Sequence, residues 1–446
     1  MKINKFTSAL IALGVVSLAG VAQASNPVVY ITGSTAARAF FYAAALAPGA
    51  IFTGGGSVVS SSPNTGSGAN LIVYEGNISG VGTVDIDCSW TGSEAGIAAV
   101  AGQSLHQTLY NPPDSNASVS GTSYVLPGVP PSFLTQASGW LTTSTLPIAG
   151  GVSTPDLSMA DTSQAVSQTS KTTYPLVDYG IVGIIPFTFM KGYEATPDTA
   201  WNHVNNVTTA EINQIIAGPL TANFVTGVST DNGDSVAICG RNLGSGTRAN
   251  FLLNMQYGIN TPVDQWAYNV SYPSGTPGVL TFNGTYTSTP SSLTEVFNDG
   301  FDSGGNVAKE MSVDGTGNNV VLIGYLGLSD AASAHAPASP IPSTNVGTYL
   351  PFNGVYESDS AVINGNYSYW GQEHLLGTTG QSSTGTPGKT AASIVSGISS
   401  YLTSSGAGNA SGAVGPTYSA QSAMIPKGLM QATRGTDGGF PSQGGF

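Results

Sequence analysis

The chain has 446 residues, of which 8% are charged, and its 24 acidic and 11 basic residues give a net charge of −13. An average soluble protein has about 25% charged residues, and a nucleic-acid-binding surface needs clustered Lys and Arg to neutralise phosphates. This composition argues against nucleic acid as a partner. A hydrophobic content of 40% also differs from the apolar-poor composition typical of intrinsic disorder.

The first 24 residues predict a secretory signal peptide. Lys2 and Lys5 precede an apolar run over residues 9–21, and the small-x-small sequence at 22–24 is typical of a cleavage site. We expect cleavage after Ala24 and a periplasmic or secreted product without a membrane anchor, since no later apolar run reaches the roughly 20 residues needed to cross a bilayer. The mature chain would keep nine basic residues against 24 acidic ones, a net charge of −15.

Strand-like runs that enter Gly/Ser/Thr turns and continue as helices recur along the chain. The first strand covers residues 28–31 and enters Gly33-Ser34-Thr35, ahead of a helical stretch over 36–47. A strand at 70–74 is followed by Gly92-Ser93-Glu94-Ala95-Gly96, which opens a second helix. Residues 107–155 are rich in Pro, Ser, Thr and Gly, which predicts a β or irregular surface insertion.

The middle third continues this pattern. Residues 179–189 predict a strand, and Thr208 with Glu211 predicts a capping box at the start of a helix. The remaining predicted elements are strands at 235–239 and 320–325, helices at 249–257 and 391–402, and a Gly/Ser-rich tail from about 375. The pattern as a whole predicts α/β lobes with mostly parallel sheets.

Three turns have the composition of an anion site: Gly33-Ser34-Thr35, Gly92–Gly96 and Gly244-Ser245-Gly246-Thr247. In α/β sheets, ligands bind at the carboxyl ends of strands, where helix N-termini present unpaired N–H groups. Each turn alone is also compatible with a purely structural role in a chain that contains 59 Gly residues. Together they predict a site built from hydroxyl and backbone donors.

The arginines strengthen this prediction because the mature chain has only four, and Arg38, Arg241 and Arg248 lie in or beside two of the turns. A guanidinium next to hydroxyl-rich helix starts suggests an anion clamp. For Arg38 and Arg248, the favoured alternative is a helix-surface residue paired with a nearby acid. For Arg241, which directly precedes the third turn, ligand contact is favoured.

The order of these turns resembles the phosphate-binding periplasmic proteins that deliver ligand to ABC importers, within the type II periplasmic-binding-protein fold. The first two turns are similar to the first two anion loops of that family, and residues 156–161 are similar to its Asp-x-x-x-Ser/Ala-Asp segment. Residues 241–247 match its Arg-x-x-Gly-Ser-Gly-Thr loop at every fixed position. Residues 207–218 and 323–325 add supporting similarity.

The resemblance implies a two-lobed protein, with lobe 1 over residues 25–178, lobe 2 over 179–324, and a return to lobe 1 plus a C-terminal extension over 325–446. It implies an ABC permease as partner and inorganic phosphate, or a similar oxyanion, as ligand. The ligand-binding residues that it implies are the donors Ser34, Thr35, Ser93, Arg241, Ser245, Gly246 and Thr247, and the acceptor Asp161.

Asp161 bears on selectivity. A carboxylate repels an oxyanion unless the ligand carries a proton to donate, which hydrogen phosphate does and sulfate does not. The alternative role for Asp161 is a helix N-cap. The sequence departs from the family at Leu243, where an acid usually holds the loop arginine, and at Arg38, where an apolar or small residue is usual.

Two other function classes remain. A secreted surface or matrix protein that retains the binding fold fits the charge-poor composition and the long tail. A phosphate-ester hydrolase is less favoured, because the four histidines are scattered and adjoin no Ser turn; for the same reason we expect no metal or other cofactor. Cys88 and Cys239 are compatible either with a disulfide or with two buried thiols.

Overall fold

The computed structural model describes residues 26–62, 69, 71–90, 92–102, 155–268, 270–272, 278–282, 292–337, 341–378, 385–404 and 424–443. The predicted signal peptide, nearly all of the predicted insertion and part of the Gly/Ser-rich tail lie outside these residues. None of the helices within them is long and apolar enough to cross a membrane.

The described helices are α1 (Arg38–Leu46), α2 (Ser93–Val100), α3 (Thr199–His203), α4 (Thr209–Ile215), α5 (Ala222–Thr226), α6 (Gly246–Asn254), α7 (Gly304–Glu310), α8 (Leu328–His335), α9 (Asp359–Ile363) and α10 (Thr386–Ser404). The strands are β1 (Val28–Gly33), β2 (Ser57–Ser62), β3 (Leu71–Ile78), β4 (Gly82–Ser89), β5 (Leu157–Ala160), β6 (Leu176–Lys191), β7 (Leu220–Thr221), β8 (Ser235–Cys239), β9 (Gln265–Ala267), β10 (Val270–Ser271), β11 (Val279–Phe282), β12 (Thr294–Phe297), β13 (Gly300–Phe301), β14 (Val320–Gly327), β15 (Thr348–Leu350), β16 (Trp370–Thr378), β17 (Ala432–Thr433) and β18 (Ser442–Gln443).

The predicted α/β class is confirmed, and most predicted elements lie close to their expected places. Strand β8 has the predicted bounds, and α4 begins with the predicted capping box. In that box the Thr208 hydroxyl accepts from the Glu211 N–H at 3.3 Å, and the Glu211 carboxylate accepts from the Thr208 N–H at 2.7 Å.

Within the described residues, thirteen strands form one mixed sheet, whose main path runs β12-β9-β8-β14-β6-β16-β5-β1-β4-β3-β2. Strand β1 pairs in parallel with β4 and β5, and β8 pairs in parallel with β14 and β9. The central strands β6 and β16 are antiparallel to each other and to their outer neighbours β14 and β5. The expectation of mostly parallel sheets is therefore wrong, because the two longest strands pair directly instead of being joined by helical crossovers.

Strand β6 links the two sides of the sheet. Residues 176–186 pair with β16, whereas residues 187–191 pair with β14 and β15. The predicted lobe boundaries at 178/179 and 324/325 fall inside β6 and β14. Strand β16, which the sequence analysis did not predict, lies between β6 and β5 at the centre of the sheet.

The two cysteines belong to different parts of the hydrophobic core. Cys88 packs with the large cluster beneath β1, β4 and β6, and Cys239 packs with a second cluster around β8 and β14. Both are buried free thiols, so no disulfide joins them. Burial raises the pKa of each thiol well above its usual value.

Candidate anion-binding site

The site begins at the adjacent carboxyl ends of β1 and β5. These strands are parallel, with Gly33 opposite Met159, so the residues that follow them meet at one edge of the sheet. The Ser34 N–H donates to the Met159 carbonyl at 2.8 Å, and the Ser34 hydroxyl donates to Oδ1 of Asp161. Ser34 is 0% exposed and Asp161 is 2% exposed. The structure therefore brings together two of the predicted site residues.

Helix α2 adds Ser93 to this pair. The Ser93 hydroxyl, on the first residue of the helix, accepts a hydrogen bond of 3.1 Å from the Asp161 N–H. The Gly92 N–H donates to the Gly33 carbonyl at 2.7 Å, which fixes the start of α2 beside β1. Gly33 has a φ of +119°, and a Cβ atom there would overlap the Met159 carbonyl, so the turn requires glycine for both reasons.

Helix α6 approaches from the other side through Gly246. A Cβ atom on Gly246 would overlap the Ser93 hydroxyl and would lie 2.7 Å from Oδ2 of Asp161. The Ala95 N–H in α2 donates to the Gly244 carbonyl at 3.2 Å, directly joining the starts of the two helices. From within α6, the Asn250 side-chain amide donates to the Asp161 carbonyl at 2.8 Å. The N-termini of α2 and α6, each the positive end of a helix dipole, thus converge on Asp161.

Ser245, Thr247 and Thr35 are placed less directly. Ser245 is the N-cap of α6, and its hydroxyl accepts from the Arg248 N–H at 3.4 Å. Thr247 is in the first turn of α6 and is 5% exposed. Thr35 follows Ser34 and is partly buried, but none of the contacts that join Ser34, Ser93 and Asp161 involves its side chain.

Arg241 lies beside this cluster rather than within it. Its Nε donates to the Phe301 carbonyl at 3.1 Å and its Nη2 donates to the Asp302 carbonyl at 2.8 Å. Burial lowers the pKa of Arg241, whereas the charges of Asp330, Asp302 and Asp161 raise it. Arg241 therefore places positive charge within electrostatic reach of Asp161, while its described hydrogen bonds go to backbone carbonyls.

Asp330, in the first turn of α8, is the acid with the largest electrostatic effect on the Arg241 guanidinium. Sequence reasoning missed this residue. Burial raises the pKa of Asp330, and the charges of Arg38 and Arg241 lower it. Leu243 stands where the resemblance implied an acid, and it is 41% exposed. A distant helix thus supplies the negative charge beside Arg241. The charge of Asp330 also acts on Arg38, which agrees with the acid-paired alternative for Arg38, although no local sequence signal pointed to Asp330.

The favoured role for Arg248, a helix-surface residue paired with a nearby acid, is wrong. This side chain is 1% exposed, so it is not a helix-surface residue. Its Nη1 donates to the Arg241 carbonyl at 3.0 Å and to the Asn298 carbonyl at 3.2 Å, and its Nη2 donates to the Asn298 side chain. Through these hydrogen bonds, the buried Arg248 side chain fixes the loop that precedes α6 to the 298–301 segment.

Glu94 is a second buried acid that the sequence analysis did not assign to the site. Its carboxylate accepts hydrogen bonds from the Thr162 hydroxyl at 3.0 Å, the Ser167 hydroxyl at 2.7 Å and the Gln168 N–H at 2.9 Å. Burial raises the pKa of Glu94, and these three bonds lower it. The residue ties the segment after Asp161 to the first turn of α2.

Glu373 is the third residue that sequence reasoning missed. It lies on β16, is 0% exposed, and faces the Asp161 carboxylate and the Ser34 hydroxyl. Within the described residues, its carboxyl oxygens interact only with the Asp161 carboxyl group and the Ser34 hydroxyl, and no other group donates to them. Burial, followed by the charge of Asp161, raises its pKa well above the usual value, and Ser34 opposes this rise. A glutamate within a buried strand would have marked this position as a candidate site residue, but the sequence analysis did not recognise β16 as a strand.

On the next residue of β16, His374 anchors the C-terminal segment. Its Nδ1 lies 2.8 Å from Oδ2 of Asp178, and its Nε2 lies 3.6 Å from Oδ2 of Asp437. The same Asp437 oxygen accepts from the Ser163 N–H at 2.7 Å, two residues after Asp161. Burial lowers the pKa of His374, but the two carboxylates outweigh it and raise the pKa to about 9. The part of the chain that the structure describes contains no group of three or more His, Cys, Asp or Glu residues arranged to hold a metal ion.

Comparison with known proteins gives structural similarity only. No protein-family model and no curated protein matches the chain. A Clostridium perfringens protein assigned as a phosphate ABC transporter substrate-binding protein, solved with bound phosphate, is 15% identical with a TM-score of 0.41, over 85% of this chain and 95% of that one. An ABC-type phosphate transport receptor from Vibrio cholerae is 11% identical with a TM-score of 0.34, over 79% of this chain and 88% of that one. PstS from Borrelia burgdorferi is 11% identical with a TM-score of 0.33, over 86% and 95% of the two chains. Likeness at this level transfers neither ligand nor activity to this chain.

Proposed function

We propose that this protein is an extracytoplasmic solute-binding protein that binds a tetrahedral oxyanion, hydrogen phosphate, where α2 and α6 meet. The convergence of the two helix N-termini on Ser93, Gly246 and Asp161 carries the proposal. First-turn N–H groups and serine hydroxyls are donors suited to phosphate oxygens, and both helix dipoles favour a negative ligand. The site offers these groups for binding.

Asp161 gives the site its selectivity in this proposal. Its Oδ1 already accepts from Ser34, whereas its Oδ2 faces Gly246 at the start of α6. A proton on hydrogen phosphate would satisfy that second oxygen. Sulfate carries no proton at neutral pH and would leave a buried acceptor unpaired beside it, at a cost of about 1–3 kcal/mol before the added charge repulsion.

Arg241 acts in this proposal mainly through its charge. The predicted mature chain has a net charge of −15, so the protein as a whole does not attract anions from a distance. Local dipoles, hydroxyls and the Arg241 guanidinium must supply the attraction. The carbonyls of Phe301 and Asp302 hold that guanidinium beside the site.

The wider role follows the same proposal. Two lobes, divided at about residues 178 and 324, would close on the anion, and an ABC permease would receive it for uptake. The predicted signal peptide would deliver the protein to the compartment in which such a permease collects its ligand.

Isothermal titration calorimetry of the mature chain with phosphate and with sulfate tests the proposal. We expect binding of phosphate at micromolar concentration or below and no comparable binding of sulfate. In the Asp161→Asn variant, the side-chain amide can donate to an oxyanion, so we expect selectivity for phosphate to fall. An absence of heat with either anion would overturn the binding function and favour a secreted surface protein. Steady release of phosphate from an aryl phosphate, abolished by Asp161→Asn, would instead favour a hydrolase.

A further inference from the structure

The site contains a second carboxyl group, that of Glu373, besides the proposed acceptor Asp161. Glu373 enters from the central strand β16, and its carboxyl group lies beside that of Asp161 and the hydroxyl of Ser34. Its side chain is 0% exposed, and in the described part of the chain its carboxyl oxygens meet only the Asp161 carboxyl group, which is itself an acid, and the Ser34 hydroxyl, which donates to Asp161. A buried carboxyl group set against another acid is costly unless it is neutral or meets a ligand.

The groups around Glu373 do not neutralise a second negative charge. From the ends of β5 and β1 it faces Asp161 and Ser34, and the uncharged Asn250 of α6 packs on Gly371, two residues earlier on β16. Tyr369, which directly precedes β16, is held neutral, because burial and then nearby charges raise its pKa well above the usual value. The charge of Arg241 acts on Asp161. His374, the next residue along β16, is paired with Asp178 and Asp437.

We propose that Glu373 is a ligand-contacting residue of the oxyanion site, where it remains a neutral carboxylic acid and donates its proton to an oxygen of the bound oxyanion while Asp161 accepts the ligand's own proton. This inference rests on the proposed function and defines the ligand further, as an oxyanion that both donates and accepts a hydrogen bond from carboxyl groups. Hydrogen phosphate can both donate to Asp161 and accept from Glu373. A fully deprotonated oxyanion can accept from Glu373 but has no proton to donate to Asp161.

Binding is then coupled to the protonation of Glu373. An ionised Glu373 would place a second carboxylate against the ligand, so the bound state holds the proton more tightly than the free state does. Affinity is fully present below the pKa of Glu373 in the free protein. It falls as the pH rises through that pKa, with a limiting slope of about tenfold per pH unit.

Three variants separate this coupling from other effects. Glu373→Gln is neutral at every pH and keeps an N–H donor, whereas Glu373→Met is neutral and has no donor. Glu295→Gln removes a negative charge on the outlying strand β12 and serves as the matched control. Phosphate binding is measured by calorimetry from about pH 5 up to the most alkaline pH at which each protein stays folded, and the melting temperature shows whether each variant is folded.

We expect Glu373→Gln to bind phosphate within a fewfold of the wild type at the acid end and more tightly than the wild type at the alkaline end. The titration of phosphate itself is common to all the proteins, so it cancels in this comparison. Glu373→Met should lose about tenfold more affinity than Glu373→Gln, because one hydrogen bond to a charged ligand is worth about 1.5 kcal/mol. Glu295→Gln should reproduce the wild-type pH profile.

Each outcome decides. Phosphate binding with the same pH profile in the wild type and Glu373→Gln would overturn the role of Glu373 and leave the proposed function standing. No phosphate binding by the wild type would overturn both. If the Glu373 variants do not fold, calorimetry of the wild type in buffers of different ionisation enthalpy decides, at a pH where phosphate is the dianion. Proton uptake on binding is expected to rise toward one proton as the pH passes the pKa of Glu373 in the free protein, and binding without proton uptake up to the most alkaline pH at which the protein stays folded would overturn the inference.

Discussion

Gly246 and Ser93 are packed so closely that a Cβ atom on Gly246 would overlap the Ser93 hydroxyl. This contact holds the first residues of α6 against those of α2, with Asp161 beside both. Helix α6 follows β8, and α2 follows β4, so the two helix starts are positioned by separate strands. The geometry of the site therefore depends on the distance between these two helix starts.

The first prediction is that Gly246→Ala abolishes or strongly weakens phosphate binding. The added methyl group would overlap the Ser93 hydroxyl and approach Oδ2 of Asp161 to 2.7 Å, which forces the helix starts apart. We expect at least a tenfold loss of affinity by calorimetry and a stability cost of about 1–3 kcal/mol. Gly258→Ala is the control, because nothing lies within 4 Å of a Cβ atom there. Normal phosphate affinity in Gly246→Ala would contradict the site.

The second prediction concerns the charge at Arg241. Arg241→Met removes the buried guanidinium and leaves the Phe301 and Asp302 carbonyls without its hydrogen bonds. We expect phosphate affinity to fall by at least tenfold and the free energy of unfolding to fall by about 1–3 kcal/mol. Lys171→Met removes an exposed positive charge and should change neither quantity appreciably. An equal loss of affinity in both variants would mean that net charge alone matters.

The third prediction is a pH dependence of stability that comes from His374. Its pKa is raised to about 9 in the folded protein, against an ordinary value of 6.5, by Asp178 and Asp437 in opposition to burial. The folded state therefore holds a proton that the unfolded state releases. The resulting stabilisation is fully present below about pH 6.5 and is lost as the pH rises through about 9, with an upper limit of about 3 kcal/mol.

Urea unfolding of the wild type and His374→Gln, at about pH 6 and about pH 9.5, measures this contribution. The wild type should lose more stability than the variant between the two pH values. The variant is needed because Lys191 and Arg434, whose pKa values burial lowers to about 8 and about 9, titrate in the same range with the opposite effect on stability. Parallel pH profiles would remove His374 from this role.

The fourth prediction is that Cys88 and Cys239 react as two free thiols only after unfolding. Both are buried, and burial raises the pKa of each thiol, so little nucleophilic thiolate is accessible in the native state. A thiol-reactive dye should report two thiols per chain in denaturant and close to none without it. A count of zero in denaturant, restored to two by a reductant, would indicate a disulfide.

The part of the site that sequence analysis predicted consists of turns directly after strands. Ser34, Ser93 and Asp161 meet because the carboxyl ends of β1, β4 and β5 share one edge of the sheet. Gly246 joins them because the third turn likewise follows a strand, β8. The strand–turn–helix pattern was sufficient for Ser34, Ser93 and Gly246, whereas Asp161 was predicted only through the family resemblance.

The residues that sequence analysis missed reach the site through pairings between distant segments of the chain. Glu373 reaches the site only because β16 lies between β5 and β6, and Asp330 meets Arg241 only through the packing of α8. Periodicity shows which face of a strand is buried but not which strand will be its neighbour. The apparently surface-like Arg248 is buried for a similar reason, since its partner Asn298 lies in another segment.

The central position of β16 also determines when the protein can fold. A nascent chain that ends before Trp370 has no strand to fill the space between β5 and β6, and it exposes two unpaired strand edges in the middle of the sheet. The segment that follows then closes over the result, through backbone hydrogen bonds between Ile184 and Ile425 and the stacking of Arg434 on Trp370. The two sides of the sheet can therefore join only after residues 370–378 have been made, and until then the open edges of β5 and β6 are available for pairing with other chains.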